Sequence, residues 1–421
     1  MKTWLTYLAA SAMGLAFELV FKDNALFCSV MTFMADIVMR LGIFIVFPLA
    51  FFTMTAGTAS LTRKKGENGF VWLSSIFWAL LTSMILAVAG ALIFRSYPSA
   101  FPTSSTLPKT AEDAAVLYQD LASATFHRLG EANPLSVNAF VNLIKSTDCL
   151  LPIIFVAIVF GYAIRPTSEI VRPAYITMNS ISEVMFRLAK NIAKVLWVGV
   201  FFISGTWYEK LWTDGSVFES WKFILLCVIA FFGCLLVVIP LVYAIATGFR
   251  RNPYRQICRL LSAATAAFFS VNFMFSQPAL YTDCRINLGI QKKVVSTALP
   301  IHSLITKGGS ALISTICTCS IVFAVNGSMP TSVQVMTIAL ACTLASFICS
   351  LHAGFEVVFA SSFALTLLNI DISGAEFAII GILPLLNGLA LMFDTLLAGL
   401  GTSFTAYQLK ADCYIREKDT V

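Results

Sequence analysis

Charged residues are scarce in this chain. Only 12% of its 421 residues are Asp, Glu, Lys or Arg, about half the share expected of a soluble domain. In contrast, 58% are hydrophobic, and the mean hydropathy is +0.84. This composition excludes a soluble globular domain and predicts an integral membrane protein.

The patterns of several other protein classes are missing as well. Most of the eleven cysteines lie within apolar segments, where small buried residues are expected rather than disulfides. No Cys/His spacing resembles a zinc site, so neither a metal site nor a cofactor is predicted. The net charge of +6 is dispersed over short loops, which argues against a nucleic-acid partner. No Ser/Lys or paired-Asp arrangement indicates an intramembrane enzyme.

What the chain has instead is a series of long apolar runs. Each has roughly 15 residues or more, near or above the length with which a helix crosses a hydrocarbon core about 30 Å thick. The eight runs are 4–21, 37–61, 70–94, 150–164, 194–207, 223–247, 294–325 and 377–401. They predict an all-α polytopic membrane protein with eight transmembrane helices. The first run contains Glu18 and has no clear cleavage site, so it is predicted to be a retained helix.

Loop charges predict the orientation of these helices. Basic residues form short groups between the runs, whereas acidic residues collect in 112–131 and 209–219. Because cytoplasmic loops are enriched in Lys and Arg, eight crossings place both termini in the cytoplasm. The polar segment from Arg95 to Asn133 is then external, in a protein of the cell membrane.

Two apolar segments in the second half are interrupted. The segments 260–280 and 331–369 are broken near their middles by "NFMFSQP" and "CSLHAGFE". Such breaks suit helical hairpins that enter the membrane and return. The order hairpin, long helix, hairpin, long helix is repeated from opposite sides, which predicts inverted repeats. Paired broken segments indicate the binding site of a transporter.

A lysine followed by two glycines lies inside the apolar run 294–325. Between residues 294 and 370 the only fully charged side chains are Lys307 and Glu356. An ammonium at bilayer depth costs about 2.5–3.5 kcal/mol on insertion scales, so such a lysine indicates a functional site. The alternative is a lysine that extends to a water-filled cavity. Gly308 and Gly309 favour local unwinding of the helix or close helix packing.

Five stretches, in this order, resemble the dicarboxylate/amino acid:cation symporter family, the glutamate transporter homologues. The similarity runs from about residue 27 to residue 410. The stretches are "VMRLGIFIVFPLAFFTMTAGTASL", "NPLSVNAFVNLIKSTDCLLPIIFVAIVFGYAI", "MNSISEVMFRLAKNIAKVLWVGVFF", "NLGIQKKVVSTALP" and "GTSFTAYQLK".

The resemblance implies a homotrimer in the lipid bilayer. Each subunit would have an outer scaffold, 1–69 and 135–221, and a transport domain, 70–95 and 222–421, with 96–134 as an extracellular loop. The transport domain of this family slides across the membrane with a small-molecule substrate and coupled cations. The two hairpin tips act as gates.

Carried onto this chain, the family's binding region falls on the hairpins, the unwound seventh helix and the eighth helix. The implied substrate-binding residues are Ser276, Gln277, Thr306, Lys307, Gly308, Gly309, Ser310, Gly354, Glu356 and Asp394. Gly308 occupies the position of the family's sodium-binding Asp, and no arginine lies in the eighth helix. Sodium coupling is therefore expected to be altered or absent, with the coupled cation, sodium or proton, left open. Lys307 is expected to act as a built-in cation that pairs with Glu356. His302 and His352 are either core residues or proton relays.

The resemblance implies a secondary active transporter of the symporter type with an elevator mechanism. The expected solute is glutamate, aspartate, a neutral amino acid or a C4-dicarboxylate. The alternatives are a non-transporting sensor or regulatory homologue and an anion-conducting channel on the same fold. An enzyme is not expected.

Overall fold

The computed structural model describes residues 3–61, 67–99, 150–212, 220–348, 356–368 and 382–411. In these ranges the chain is helical and contains no strand. The helices are α1 Thr3–Phe21, α2 Ala25–Leu61, α3 Glu67–Ser96, α4 Leu150–Ala163, α5 Arg172–Trp212, α6 Trp221–Gly233, α7 Ile239–Ala246, α8 Pro253–Arg259, α9 Leu261–Ser270, α10 Phe273–Thr282, α11 Lys292–Ile305, α12 Gly308–Asn326, α13 Ser332–Ile348, α14 Glu356–Leu367 and α15 Leu383–Gln408. Short π-helical turns, Cys234–Val238 and Asp283–Asn287, follow α6 and α10.

Seven helical segments in the described part of the chain are long and apolar enough to cross a membrane. They are α1, α2, α3, α5, the α6–α7 segment, the α11–α12 segment and α15. The predicted all-helical polytopic architecture is thus confirmed. α4 is shorter and begins where the described residues resume after 149. The count of eight crossings therefore stays a prediction.

Burial is lowest in α1 and α2 and highest in the α11–α12 segment and α15, whereas α3, α5 and the α6–α7 segment lie between them at 39–44%. In their most apolar stretches, 28% of α1 and 33% of α2 is buried, against 89% of α11–α12 and 83% of α15. The outward faces carry large apolar side chains, such as Phe44 and Leu73, each 69% exposed. A surface of this kind is stable in contact with lipid, where no water must be excluded.

Helix packing defines two sets. The outer set consists of α1, α2, α4 and α5, and the central set includes α3, α9–α13 and α15. α5 packs along α1 and α2, and α2 also packs along α4. In the central set, α15 contacts α9, α11 and α12, whereas α3 packs along α12 and α13. The two sets meet where α11 lies against α2 and where α10 lies against α5.

α9 and α10 form a tight helix–turn–helix. Val271 ends α9 in the left-handed region, with φ 49°. Asn272 then begins α10, because its Oδ1 accepts hydrogen bonds from the amides of Met274 at 2.8 Å and Phe275 at 3.3 Å. The interruption predicted at "NFMFSQP" is present at this turn, and the first residue of that motif, Asn272, is the N-cap of α10. That the pair re-enters the membrane stays a prediction. α13 and α14 also pack together, but their connection lies outside the described residues.

A buried carboxylate joins the two ends of this hairpin. Asp283, just after α10, accepts hydrogen bonds from Ser262 Oγ at 2.6 Å and the Ala263 amide at 3.0 Å, both at the start of α9. Asn287 Nδ2 donates to the same carboxylate at 2.7 Å. The hairpin is therefore closed at its base as well as at its turn.

An ion cluster links the base of this hairpin to α5. Arg285 Nη2 donates to both oxygens of Glu183, at 3.0 and 2.8 Å. Lys292 Nζ lies 3.5 Å from the same carboxylate and donates to the backbone oxygen of Asn179 at 2.8 Å. The Arg285 guanidinium also lies 4.4 Å from the ring centroid of Phe186. This cluster is a polar contact between the outer and central helix sets.

Candidate substrate-binding site

The long central helix is interrupted between α11 and α12. Thr306 is extended, with φ −86° and ψ 99°, and Lys307 has φ −127° and ψ 38°. The last helical hydrogen bond of α11 runs from the Thr306 amide to the His302 oxygen at 2.9 Å. The first of α12 runs from the Ala311 amide to the Lys307 oxygen at 3.0 Å. The unwinding expected from "TKGGS" is present at its first two residues. The amides of the first turn of α12 then need other acceptors.

Asp394 of α15 supplies those acceptors. Its Oδ1 accepts the amides of Gly309 at 2.7 Å and Ser310 at 3.3 Å, and its Oδ2 accepts the Ser310 hydroxyl at 2.6 Å. The carboxylate is fully buried. The positive end of the α12 dipole stabilises it, as does electrostatic attraction from Lys307. Asp394 therefore fixes the start of α12 against α15.

The two glycines permit close packing of α12. A Cβ on Gly309 would lie 2.1 Å from the Ala390 oxygen and 2.4 Å from Phe393 Cβ. A Cβ on Gly308 would lie 2.6 Å from Leu397 Cδ1. The sequence left open whether these glycines unwind the helix or allow close packing. Because both residues lie within α12, close packing accounts for them.

Lys307 is buried, with 2% of its surface exposed. Its Nζ lies 5.0 Å from the ring centroid of Phe273, a cation–π distance. Within the described ranges, the ammonium donates no hydrogen bond and lies in no ion pair of 4 Å or less. Among the described residues, the ring of Phe273 and the carboxylate of Asp394 attract this ammonium.

The second hairpin is only partly described. Glu356 is the first residue of α14 and is 3% exposed. It forms no ion pair with Lys307 in this conformation, so the expected pairing stays a prediction for another gate position. Gly354 and His352 lie outside the described residues.

The two polar candidates of the first hairpin differ in their hydrogen bonding. The hydroxyl of Ser276 donates to the Phe273 oxygen at 2.8 Å and so stays within its own helix. Gln277 Oε1 accepts the Ser303 hydroxyl at 3.1 Å. Gln277 Nε2 is buried and has no hydrogen-bond partner among the described residues. Gln277 therefore presents an amide donor without an acceptor.

His302 lies in a polar cluster beside the interruption. Its ring nitrogens are 3.2 Å from Ser75 Oγ, 3.2 Å from Thr306 Oγ1 and 3.4 Å from Thr405 Oγ1. A fully buried histidine with three hydroxyl partners is satisfied as a core residue. This geometry favours the core reading over a proton relay.

Sequence reasoning missed three residues of this region. Phe273 contacts Lys307, Ser303 contacts Gln277, and Asn387 Oδ1 accepts the Val357 amide at 3.2 Å. One signal was available: Phe273 precedes Gln277 by four residues, so the two side chains share a helix face. The roles of Ser303 and Asn387 depend on contacts between distant segments.

A polytopic helical bundle whose most buried helix is interrupted around a charged residue is the architecture of a secondary transporter. A family model supports this class. The model of the sodium:dicarboxylate symporter family matches residues 3–410, and the chain belongs to that family. The family consists of transporters rather than enzymes. The chain is therefore a multi-pass membrane protein of a transporter family.

Individual relatives are distant. Neutral amino acid transporter B(0) of Oryctolagus cuniculus is 23% identical over 339 residues, which cover 75% of this chain and 62% of that protein. Proton/sodium-glutamate symport protein of Bacillus caldotenax is 23% identical over 309 residues, 71% of this chain and 70% of that protein. Neutral amino acid transporter A of Homo sapiens is 23% identical over 350 residues, 75% of this chain and 64% of that protein. The chain spans about three fifths of the length of the neutral amino acid transporters it matches.

Proposed function

We propose that this protein is a secondary active transporter of a small organic solute, an amino acid or a dicarboxylate. The interruption at Thr306 and Lys307 carries the proposal, because it brings a buried charge to the centre of the bundle. Unwound segments at membrane depth are tolerated where they line a binding site. The relatives, neutral amino acid transporters and a proton/sodium-glutamate symport protein, support the same solute classes.

The mechanism we propose is of the elevator type. The segments 1–69 and 135–221 form the scaffold, and 70–95 with 222–421 form the transport domain. The mutual packing of α1, α2, α4 and α5, and the separate packing of α3 with α12 and α13, support this division. The exposed apolar faces of the outer helices suit both lipid and the subunit contacts of a homotrimer.

The proposed location is the cell membrane, with both termini in the cytoplasm and 96–134 outside. Loop charge supports this orientation. The test uses single cysteines at Ser104 and Thr420, which lie outside the described residues, and a thiol reagent that does not cross the membrane. Labelling at the first site and protection of the second is expected in intact cells. Labelling at Thr420 but not at Ser104 would show the opposite orientation and contradict the proposal.

Sodium coupling is proposed to be altered or absent. A sodium site needs several oxygen ligands including a carboxylate, and Gly308 stands at the family's acidic position. The oxygens of Asp394 are already occupied by the first turn of α12. Lys307, which precedes α12, attracts that carboxylate electrostatically. A bound ion is therefore not needed to neutralise Asp394.

Uptake into proteoliposomes tests both parts of the proposal. The purified full chain is reconstituted and supplied with labelled L-glutamate, L-aspartate, L-alanine, L-serine and succinate, with protein-free liposomes as the control. Accumulation of at least one solute is expected, at a similar rate in sodium and in choline buffer. Absence of uptake for every solute would reject the transporter function. A steep dependence on sodium would reject the altered coupling alone.

A further inference from the structure

We propose that the segment between α7 and α9, together with the end of α15, binds the phosphate of an anionic phospholipid. The basic residues of this surface are called the basic rim and are Arg250, Arg251, Arg255, Arg259 and Lys410. The proposal rests on the chain being a multi-pass membrane protein, and it does not depend on the proposed transport function.

The basic rim carries positive charge without acidic residues beside it in the chain. Its four arginines lie in the stretch 221–282, which contains no Asp or Glu. The next acidic residue, Asp283, already accepts hydrogen bonds from Ser262 and Ala263. Arg250 is exposed and forms no ion pair with any residue that the structure describes. A surface with this surplus of positive charge favours an anionic partner.

The rim follows directly on an exposed apolar stripe. Val237, Leu241 and Ile245 are spaced four residues apart and are 63%, 52% and 60% exposed. Side chains at this spacing lie on one face of a helix, so this face of the α6–α7 segment is suited to lipid acyl chains. Phe249, 74% exposed and with φ 57°, stands between the stripe and the first arginine. Exposed aromatic rings are typical of the membrane interface.

α8 folds back against the same lipid-facing side. Tyr254 Oη donates a hydrogen bond to the Leu236 oxygen at 2.8 Å, and the two residues are 52% and 54% exposed. Leu236 lies in the π-helical turn before α7, and α7 has eight residues, about 12 Å of helix. The contact therefore draws the start of α8 back along α7. Arg255, the next residue, is thereby held where lipid headgroups meet acyl chains.

The end of α15 brings further positive charge to this surface. The Arg251 guanidinium lies 5.4 Å from the ring centroid of Tyr407, in the last turn of α15. Lys410 follows that turn and is exposed. Basic side chains from two elements therefore converge at one end of the helix bundle. A phosphate group suits them, because its oxygens accept charge-assisted hydrogen bonds from several donors.

A phospholipid accounts for both parts of this surface. Its phosphate would bind the basic rim, and its acyl chains would lie along the apolar stripe. Basic clusters beside a membrane helix attract anionic lipids, and each Lys or Arg near the surface contributes a factor of about five in affinity. A soluble anion would use only the rim and would leave the stripe unused.

Native mass spectrometry of the purified full chain in detergent tests the proposal by counting bound lipids. The protein is titrated with dioleoylphosphatidylglycerol or with dioleoylphosphatidylcholine, which has the same acyl chains and no net charge. The anionic lipid should bind at least about fivefold more tightly, and equal affinity would overturn the proposal. Excess inorganic phosphate should not displace the bound lipid. Displacement would show a site for free anions and would also overturn it.

A double variant with a matched control locates the site. Arg250→Gln combined with Lys410→Gln removes two exposed charges, so the melting temperature should be unchanged while affinity for the anionic lipid falls at least about tenfold. The control, Lys22→Gln combined with Lys222→Gln, removes two exposed lysines outside the rim and should keep the affinity. Unchanged affinity in the folded rim variant, or an equal loss in the control, would overturn the proposal.

A second pair of substitutions separates charge from shape. Arg250→Lys combined with Lys410→Arg preserves both charges and should keep the preference for the anionic lipid. A loss as large as in the glutamine variant would contradict binding by charge. If the glutamine double variant does not fold, Arg250→Gln alone is compared with Lys22→Gln. A loss of about fivefold is then expected in the first and none in the second, and equal affinities would overturn the proposal.

Discussion

Replacement of Glu183 by glutamine should weaken the contact between α5 and the base of the α9–α10 hairpin. The wild-type carboxylate accepts two charge-assisted hydrogen bonds from Arg285, at 3.0 and 2.8 Å, and lies 3.5 Å from Lys292 Nζ. Glutamine keeps the shape but removes the charge. Two cations would then face each other with no anion between them.

The expected size of the effect follows from exposure. The side chains of Glu183, Arg285 and Lys292 are 35%, 28% and 22% exposed. Fully exposed ion pairs contribute about 0.2–1 kcal/mol, whereas removal of one partner from a buried pair costs about 3–5 kcal/mol. Because the side chains are partly exposed and a single guanidinium nitrogen is shared by both carboxylate oxygens, we expect a loss of about 1–2 kcal/mol, a factor of about 5–30 in the folded-to-unfolded ratio.

The assay is the free energy of unfolding in mixed micelles, titrated with a denaturing detergent at low and at high salt. The loss caused by Glu183→Gln should be smaller at high salt, since partly exposed charges are screened. Glu169→Gln, at an exposed acid outside the cluster, serves as the control. A loss below about 0.5 kcal/mol, the range of ordinary surface substitutions, would refute the reasoning. So would an equal loss in an Arg285→Gln background.

Three further variants probe the interruption. Gly309→Ala should destabilise the protein by about 1–3 kcal/mol or more through overpacking, measured by the same denaturation titration. The control Gly69→Ala should be neutral, because no atom lies within 4 Å of the added Cβ. Asp394→Ala should cost about 2–6 kcal/mol, because it leaves the buried amides of Gly309 and Ser310 without an acceptor, at about 1–3 kcal/mol each; a near-neutral result would contradict the assigned role. Lys307→Met should strongly reduce uptake, and the double variant with Glu356→Gln should be less impaired than additivity predicts; strictly additive losses would exclude their pairing.

The lengths of the apolar runs in the sequence predicted that the helices exist, but they did not predict where the helices begin. The run 37–61 corresponds to α2, which begins at Ala25, and the run 194–207 corresponds to α5, which begins at Arg172. The early part of α5 carries charges such as Glu183, which a hydropathy pattern assigns to a loop. The family resemblance, which includes "MNSISEVMFRLAKNIAKVLWVGVFF", places these charges in the fifth helix, and in the structure Glu183 meets Arg285 and Lys292 from another segment. Tertiary partners of this kind are not visible in a local pattern.

The candidate site shows a similar division. The interruption itself was predictable, since a lysine and two glycines interrupt an apolar run. The part played by Asp394 was not, because a carboxylate on α15 and amides on α12 are 84 and 85 residues apart in the chain. In this conformation Lys307 contacts Phe273, and its expected pairing with Glu356 in another gate position stays a prediction. Residue type indicated that Lys307 needed a counterpart but not which residue would provide it.

The interruption between α11 and α12 is not a hinge. A hinge requires freedom of rotation at the unwound residues, but the first turn of α12 is bonded to Asp394, and Gly309 leaves no gap to the backbone of Ala390. Any tilt of α12 would have to carry α15 with it. Two spectroscopic labels, one on each of these helices, should therefore keep a constant separation throughout the proposed transport cycle, and changes of shape should arise at other segments.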